Sequence, residues 1–257
     1  MKNFILNFGI LALLASVFVS CHKEDDSKII IKKDKHLVSS TLRFVGIDIE
    51  TKKRDTVNNN LNYEFDSDGR IVKIYDNNGY KEEYDHKSLL MTTYKNGVQT
   101  AAGKINVNGA VVCDSALNGS HKKEYSYDES GHINSSSSLF VVDEENSSRY
   151  SYSYTWADGN LVSCKMMDGG VHNGAAMEIG AYDYKYEYVN EAVTTPIENK
   201  TGLVFFFDNV LDFSPAYGAG TKNLPVKVNG QNIQWTLEDG YPVKVVTDNA
   251  TATFMWK

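Results

Sequence analysis

Asparagine, aspartate or serine followed by glycine recurs along this chain from His36 onward, each time between short alternating runs. No other feature limits the fold as much. The pairs read as turns are Asp68-Gly69, Asn78-Gly79, Asn96-Gly97, Asn108-Gly109, Asn118-Gly119, Ser130-Gly131, Asp158-Gly159, Asp168-Gly169, Asn229-Gly230 and Asp239-Gly240. Such pairs tolerate the positive φ angles of tight antiparallel hairpins. The flanking rows alternate, as in Leu61, Tyr63, Phe65; Tyr150, Tyr152, Tyr154, Trp156; and Tyr182, Tyr184, Tyr186, Tyr188. A period of two puts each row on one face of a strand. Helical periodicity is scarce. The expected fold is therefore mainly β: an antiparallel meander of hairpins forming a large curved sheet or half-open barrel, with two packed layers as the other arrangement.

Several stretches qualify that plan. Leu203 to Phe207 reads as a buried strand, and Asp208 as the cap of a short helix through Val210, Leu211 and Phe213 that would cover one sheet face. His132 to Ser138 is serine-rich and reads as a loose strand edge, and Asp143 to Ser148 as an exposed loop.

The hairpins also resemble one another. Tyr63 to Ile74 has counterparts in Tyr125 to Ile133, Tyr152 to Val162 and, in degenerate form, Trp235 to Val245. The shared plan is an aromatic-x-aromatic pair, an acidic turn with glycine and then a β-branched strand. One such hairpin cannot bury its own face, so neighbours must join into a continuous sheet.

The chain begins with a different signal. Lys2 precedes an almost wholly apolar run from Phe4 to Val19, too short for a comfortable membrane span, which ends in Phe18-Val19-Ser20-Cys21. This reads as a signal peptide, and its likeness to the lipobox of bacterial lipoproteins implies residues 1–20 as the signal, cleavage before Cys21 and acylation of that cysteine. Residues 21–36 then form a tether, and 37–257 a single β-rich domain.

These features resemble known families. Ser20-Cys21 with its apolar approach is similar to the lipobox of bacterial lipoproteins. Lys23-Glu24-Asp25-Asp26 looks like the surface-export signal behind the lipidated cysteine of Bacteroidetes lipoproteins, the alternative being a solvated tether. The hairpin motif resembles the YD repeats of RHS-type proteins. Together with Gly220-Thr-Lys-Asn-Leu-Pro225 and the closing Trp235 to Pro242 hairpin, the set resembles uncharacterised surface lipoproteins of Bacteroidetes. That resemblance implies a β-rich fold on the outer membrane, facing the exterior or else the periplasm, and implies no known activity.

Composition excludes more than it selects. A net charge of −7, with the 26 basic residues scattered, argues against nucleic acid, which needs a basic face. Asp66-Ser-Asp68-Gly69 begins like a calcium loop, but Tyr75 stands where the late glutamate is required. The six histidines form no zinc pattern, and no nucleophile elbow or phosphate loop is present, so no catalytic residue, metal or cofactor is called for. Cys113 and Cys164 are either a disulfide, which an exporting compartment permits, or two free thiols, the plainer expectation.

What remains is the aromatic row Tyr150, Tyr152, Tyr154, Trp156. Flat rings on a rigid sheet can stack on sugars, yet the same rings stabilise sheets by cross-strand packing. The leading expectation is a non-catalytic surface binding module for a glycan or protein, held to the membrane by its lipid. The second is a carrier or sensor holding an apolar ligand in a curled sheet, and the third a glycoside-acting enzyme. Oligomeric state is left open.

Overall fold

The computed structural model describes residues 35–47, 54–207 and 211–257. The signal segment, Cys21 and Lys23 to Asp26 lie outside these residues.

Twelve strands follow one another as a meander: β1 (Leu37–Ile47), β2 (Arg54–Phe65), β3 (Ile71–Tyr75), β4 (Tyr80–Asp85), β5 (Leu90–Lys95), β6 (Val98–Ile105), β7 (Val111–Ala116), β8 (His121–Tyr127), β9 (Ile133–Val141), β10 (Ser147–Ala157), β11 (Asn160–His172) and β12 (Ala175–Glu187). Short strands come next: β13 (Ile197–Glu198), β14 (Val204–Phe207), β15 (Leu211–Ser214), β16 (Asn223–Leu224), β17 (Lys227–Val228) and β18 (Gln231–Asn232). The chain ends with β19 (Gln234–Glu238), β20 (Tyr241–Val246) and β21 (Ala250–Trp256).

Every pairing is antiparallel, and the pairings run round a ring. β1 joins β2 on one side and β21 on the other, with Ser40 opposite both Leu61 and Phe254. β20 and β19 continue from β21. At the far end of the meander β12 passes to β17 through Tyr186↔Val228, and β17 turns back into β18. β18 and β19 are separated by Ile233 alone, whose N–H reaches the Val226 carbonyl at 2.8 Å. The result is a 17-stranded sheet nearly closed into a barrel, its seam made of two-residue strands.

The turns explain the closure. At Asn96-Gly97, Asp158-Gly159, Asn229-Gly230 and Asp239-Gly240 both residues have positive φ, the geometry of two-residue hairpins. Asn173-Gly174 has the same geometry, whereas at Asp68-Gly69, Asn78-Gly79 and Asn108-Gly109 the glycine alone is left-handed and an Asx side chain organises the turn. Asp66 Oδ1 accepts from the N–H groups of Asp68 and Arg70, while its Oδ2 takes the Arg70 guanidinium at 2.7 Å. Burial by itself would raise that carboxyl, but the Arg70 and Asp68 bonds and the guanidinium charge outweigh it and hold the pKa low. These are the residues of the calcium-like stretch.

Inside the ring lies the β14–β15 hairpin. Val204, Phe205, Phe206 and Phe207 are all buried, so both faces of this strand are covered, whereas wall strands bury alternate residues. Phe205 packs on Trp235 of β19 and Phe254 of β21, and Phe206 on Tyr154 of β10. The Phe207 N–H donates to Tyr186 Oη of β12 at 3.4 Å. Partners drawn from around the wall place the hairpin in the lumen as a plug. Residues 215–226 then follow the turns at one end, where Lys222 N–H donates to Gly159 and Ala219 N–H to Gly131. Asn199 staples this layer: its Nδ2 donates to the Leu203 and Thr221 carbonyls and its Oδ1 accepts from Thr201. A buried polar group so fully partnered costs little.

Three expectations need correction. The C-terminal helix is absent, because Leu211–Ser214 is a strand paired with Val204–Phe207; Asp208 and Val210 lie outside the described residues. Amphipathic residues at the end of a buried strand found a strand partner inside the barrel instead of a sheet face to cover. Asp168-Gly169 is no turn but lies within β11, at a bulge, and Asn173-Gly174 turns the chain four residues later. The serine-rich strand β9 is no edge, being paired with both β8 and β10. Cys113 and Cys164 keep their thiols, the plainer of the two expectations.

Candidate functional site in the barrel lumen

The outer wall carries charged side chains at mid-strand among scattered exposed apolar ones such as Met167 and Met255. Lys81 and Glu83 pair at 2.7 Å on β4, Lys122 and Glu124 at 2.7 Å on β8, and Lys165 and Lys185 are exposed on β11 and β12. Charges at mid-strand oppose the apolar outward band that a lipid-spanning barrel requires. The aromatic rows take the inner face.

The row on β10 runs along that face. Trp156 lies near the covered end, donating Nε1–H to the Ile133 carbonyl at 2.7 Å and stacking on His132 at 4.2 Å. Tyr154 packs on Phe206 of the plug and shares a hydrogen bond with Ser136 at 3.2 Å. Tyr152 stacks parallel on Tyr154, and Tyr150 meets Phe140 edge-on further along. The structure therefore brings all four together as lining of the interior.

Alternation on the neighbouring strands adds polar groups that the sequence reading did not single out. Glu82 accepts from the hydroxyls of Tyr80 and Tyr84, the latter at 2.5 Å, all on the inner face of β4. Asp114 of β7 meets His121 Nε2 at 3.0 Å. From the plug, Asp212 accepts from Tyr217 Oη at 3.2 Å, and Tyr217 in turn packs against Tyr125 of β8. Asp212 is paired with Phe206 and shares its face, where both meet Tyr217, while Phe205, Phe207 and Phe213 on the other face pack toward Trp235 of β19 and Phe254 of β21.

Electrostatics tie these groups into one cluster. Burial raises the Asp212 carboxyl, offset in part by Tyr217, the Phe213 N–H and the charge of Lys123. The Tyr217 phenol is pushed far up by Asp212 and by burial. Tyr125 and Tyr80 are raised by burial and then by the surrounding carboxylates, among them Asp114 and Glu82. The phenols thus stay protonated and serve as donors. Although ringed by protein, Asp212 remains solvent-exposed, so water reaches the cluster inside the barrel. Such a site can grip a small polar ligand through several hydrogen bonds at once. Among the described residues, no three histidine, cysteine or acidic side chains converge to hold a metal.

Nothing in the local sequence flags Asp212, which looks like one polar residue in an apolar run. Its surroundings are set by topology, which brings the Phe206 and Asp212 face of the hairpin against Tyr154 and Tyr217.

No family model matches the chain, and no curated protein is similar to it. Among solved structures it is similar to a porin-like protein from Bacteroides uniformis, with a TM-score of 0.54 and 10% identity, covering 86% of this chain and 96% of that one. A porin-like protein from Bacteroides vulgatus is likewise similar, with a TM-score of 0.54, 15% identity and coverage of 87% and 99%. At such identities the likeness is one of fold.

Proposed function

We propose that this chain is an exported, lipid-anchored binding module that captures a small polar ligand in the lumen of a plugged barrel and performs no chemistry on it. The observation that carries this reading is Asp212, a carboxylate enclosed by the barrel yet open to water, set among protonated phenols with Glu82 and Asp114 nearby. Pockets of this kind combine an aromatic lining with a few convergent polar groups. The lining favours a ligand rich in hydrogen-bond donors over the apolar cargo that a curled sheet brings to mind. The mid-strand charges of the wall support a barrel that stands in water on its tether, and the lipobox-like Ser20-Cys21 and acidic Lys23 to Asp26 support anchoring and surface display.

A thermal-shift screen of residues 35–257 against polyols, amines and short peptides tests the lumen. Compounds that stabilise the native protein are expected to lose their effect with Asp212→Asn or Glu82→Gln. Stabilisation indifferent to both substitutions would place the ligand elsewhere. For the anchor, Cys21→Ser is expected to abolish metabolic labelling with palmitate, and protease shaving of intact cells is expected to remove the domain. A chain protected until the outer membrane is breached would overturn surface display.

A further inference from the structure

The seam that closes the barrel leaves a cleft between residues 190–197 and strands β17 to β19, with a volume of about 470 Å³. That falls within the range of roughly 300–1,000 Å³ usual for small-molecule sites. We propose that this cleft binds a neutral sugar residue of a glycan, at a site separate from the lumen.

The argument is one of lining chemistry. The floor is apolar, formed by Val226, Ile233 and the half-buried indole of Trp235. Trp235 spends its Nε1–H on the Pro225 carbonyl at 2.7 Å, so toward the cleft it offers ring surface and no donor. The rim carries three carboxamides, Asn190, Asn232 and Gln234. Asn190 is held in one orientation, because its Oδ1 accepts from the N–H groups of Ala192 and Val193 at 2.8 and 2.7 Å. Its Nδ2 hydrogens, and both ends of the Asn232 and Gln234 amides, have no intramolecular partner among the described residues. Glu191 and Lys227 add one charge of each sign, leaving the cleft without a net preference for ions.

A pyranose presents a C–H face and a rim of hydroxyls that each donate and accept. An indole-floored cleft edged by amides, which also donate and accept, matches both surfaces at once. An ionic ligand would find no compensating excess charge, and a purely apolar one would strand three amides. Fixing Asn190 beforehand also removes part of the ordering cost of binding.

The test uses the intact domain and methyl glycosides of neutral hexoses and N-acetylhexosamines, with the matching oligosaccharides as a second arm. Saturation-transfer NMR is expected to show saturable binding, stronger for the oligosaccharides if the natural ligand is a chain. The double variant Asn232→Ala, Gln234→Ala, both exposed and with no side-chain hydrogen bond among the described residues, is expected to bind about tenfold more weakly with an unchanged melting temperature. Asp212→Asn is expected to bind glycosides like the native protein, which separates this site from the lumen. The proposal is overturned if no glycoside binds saturably, or if the double variant binds as tightly as the native chain.

Discussion

At the scale of single residues, two glycines of the wall illustrate two different constraints. Gly97 has φ of 78° and nothing near the place of a Cβ, so Gly97→Ala costs backbone energy alone, about 1 kcal/mol. Gly103 has ordinary strand dihedrals, but a Cβ there would lie 2.2 Å from the Cys113 carbonyl oxygen of β7. Gly103→Ala must therefore part β6 from β7, and urea denaturation is expected to show a loss well beyond that of Gly97→Ala. Equal losses would mean that the close approach is unimportant. Asp212 supplies a pH test. Its folded pKa is raised above the unfolded value, so the folded state holds the proton more tightly. Its contribution to stability is most favourable at low pH and declines as pH rises through the folded pKa. Asp212→Asn removes that decline. The melting-temperature difference, variant minus native, is expected to grow as pH rises from mildly acidic to neutral; a difference constant with pH would refute the enclosed carboxylate.

At the scale of elements, the recurring aromatic residues do a structural job that their spacing only hinted at. Near the covered end, the last aromatic of a strand bonds a carbonyl near the start of the strand before it. Tyr127 Oη donates to Val111 at 2.6 Å, Trp156 Nε1 to Ile133 at 2.7 Å, Tyr188 Oη to Leu161 at 2.7 Å and Trp256 Nε1 to Pro242 at 2.6 Å. His86 occupies the same place after β4, its Nε2 2.7 Å from the Ile71 carbonyl. The ring fills the inner face while its polar tip satisfies a rim carbonyl, which is why tyrosine, tryptophan and histidine recur there and phenylalanine less so. Trp156→Phe keeps much of the packing and loses the bond, so a destabilisation of about 1 kcal/mol is expected from chemical denaturation. The plug is less forgiving. Phe205 is 1% exposed and touches Phe213, Trp235 and Phe254, so Phe205→Ala is expected to cost about 3–5 kcal/mol. If it costs under about 1 kcal/mol, the hairpin is an accessory and the barrel stands without it. The strands themselves were legible because alternation and turn chemistry are local. The plug was not, since Val204 to Phe207 reads the same whether a strand is buried between sheets or within a ring.

At the scale of the whole molecule, the two faces of the barrel wall differ in chemistry. The interior holds phenylalanines and a packed hairpin, and the outside holds lysines and glutamates. Residues 35–257 are thus expected to remain in the aqueous phase without detergent and to leave planar bilayers non-conducting; stepwise conductance would overturn the plugged, water-facing barrel. From its own residues the chain determined an antiparallel meander, because each Asx-Gly turn and each period-two row is set by backbone sterics within a few residues. The same local reading erred where partners decided: Asp168-Gly169 stays in a strand because β10 and β12 hold it on both sides, and Leu211 to Ser214 is a strand because Val204 to Phe207 pairs with it. Only the tertiary structure decided which face of every row turned inward, that β12 would meet β17 and close the ring, and that Asp212 would stand beside Tyr217 within reach of Glu82 and Asp114. Those outcomes depend on contacts between elements distant in sequence, as where Tyr186 meets Val228 and Ser40 meets Phe254, and the free energy of closing a ring is not written in any one of its hairpins.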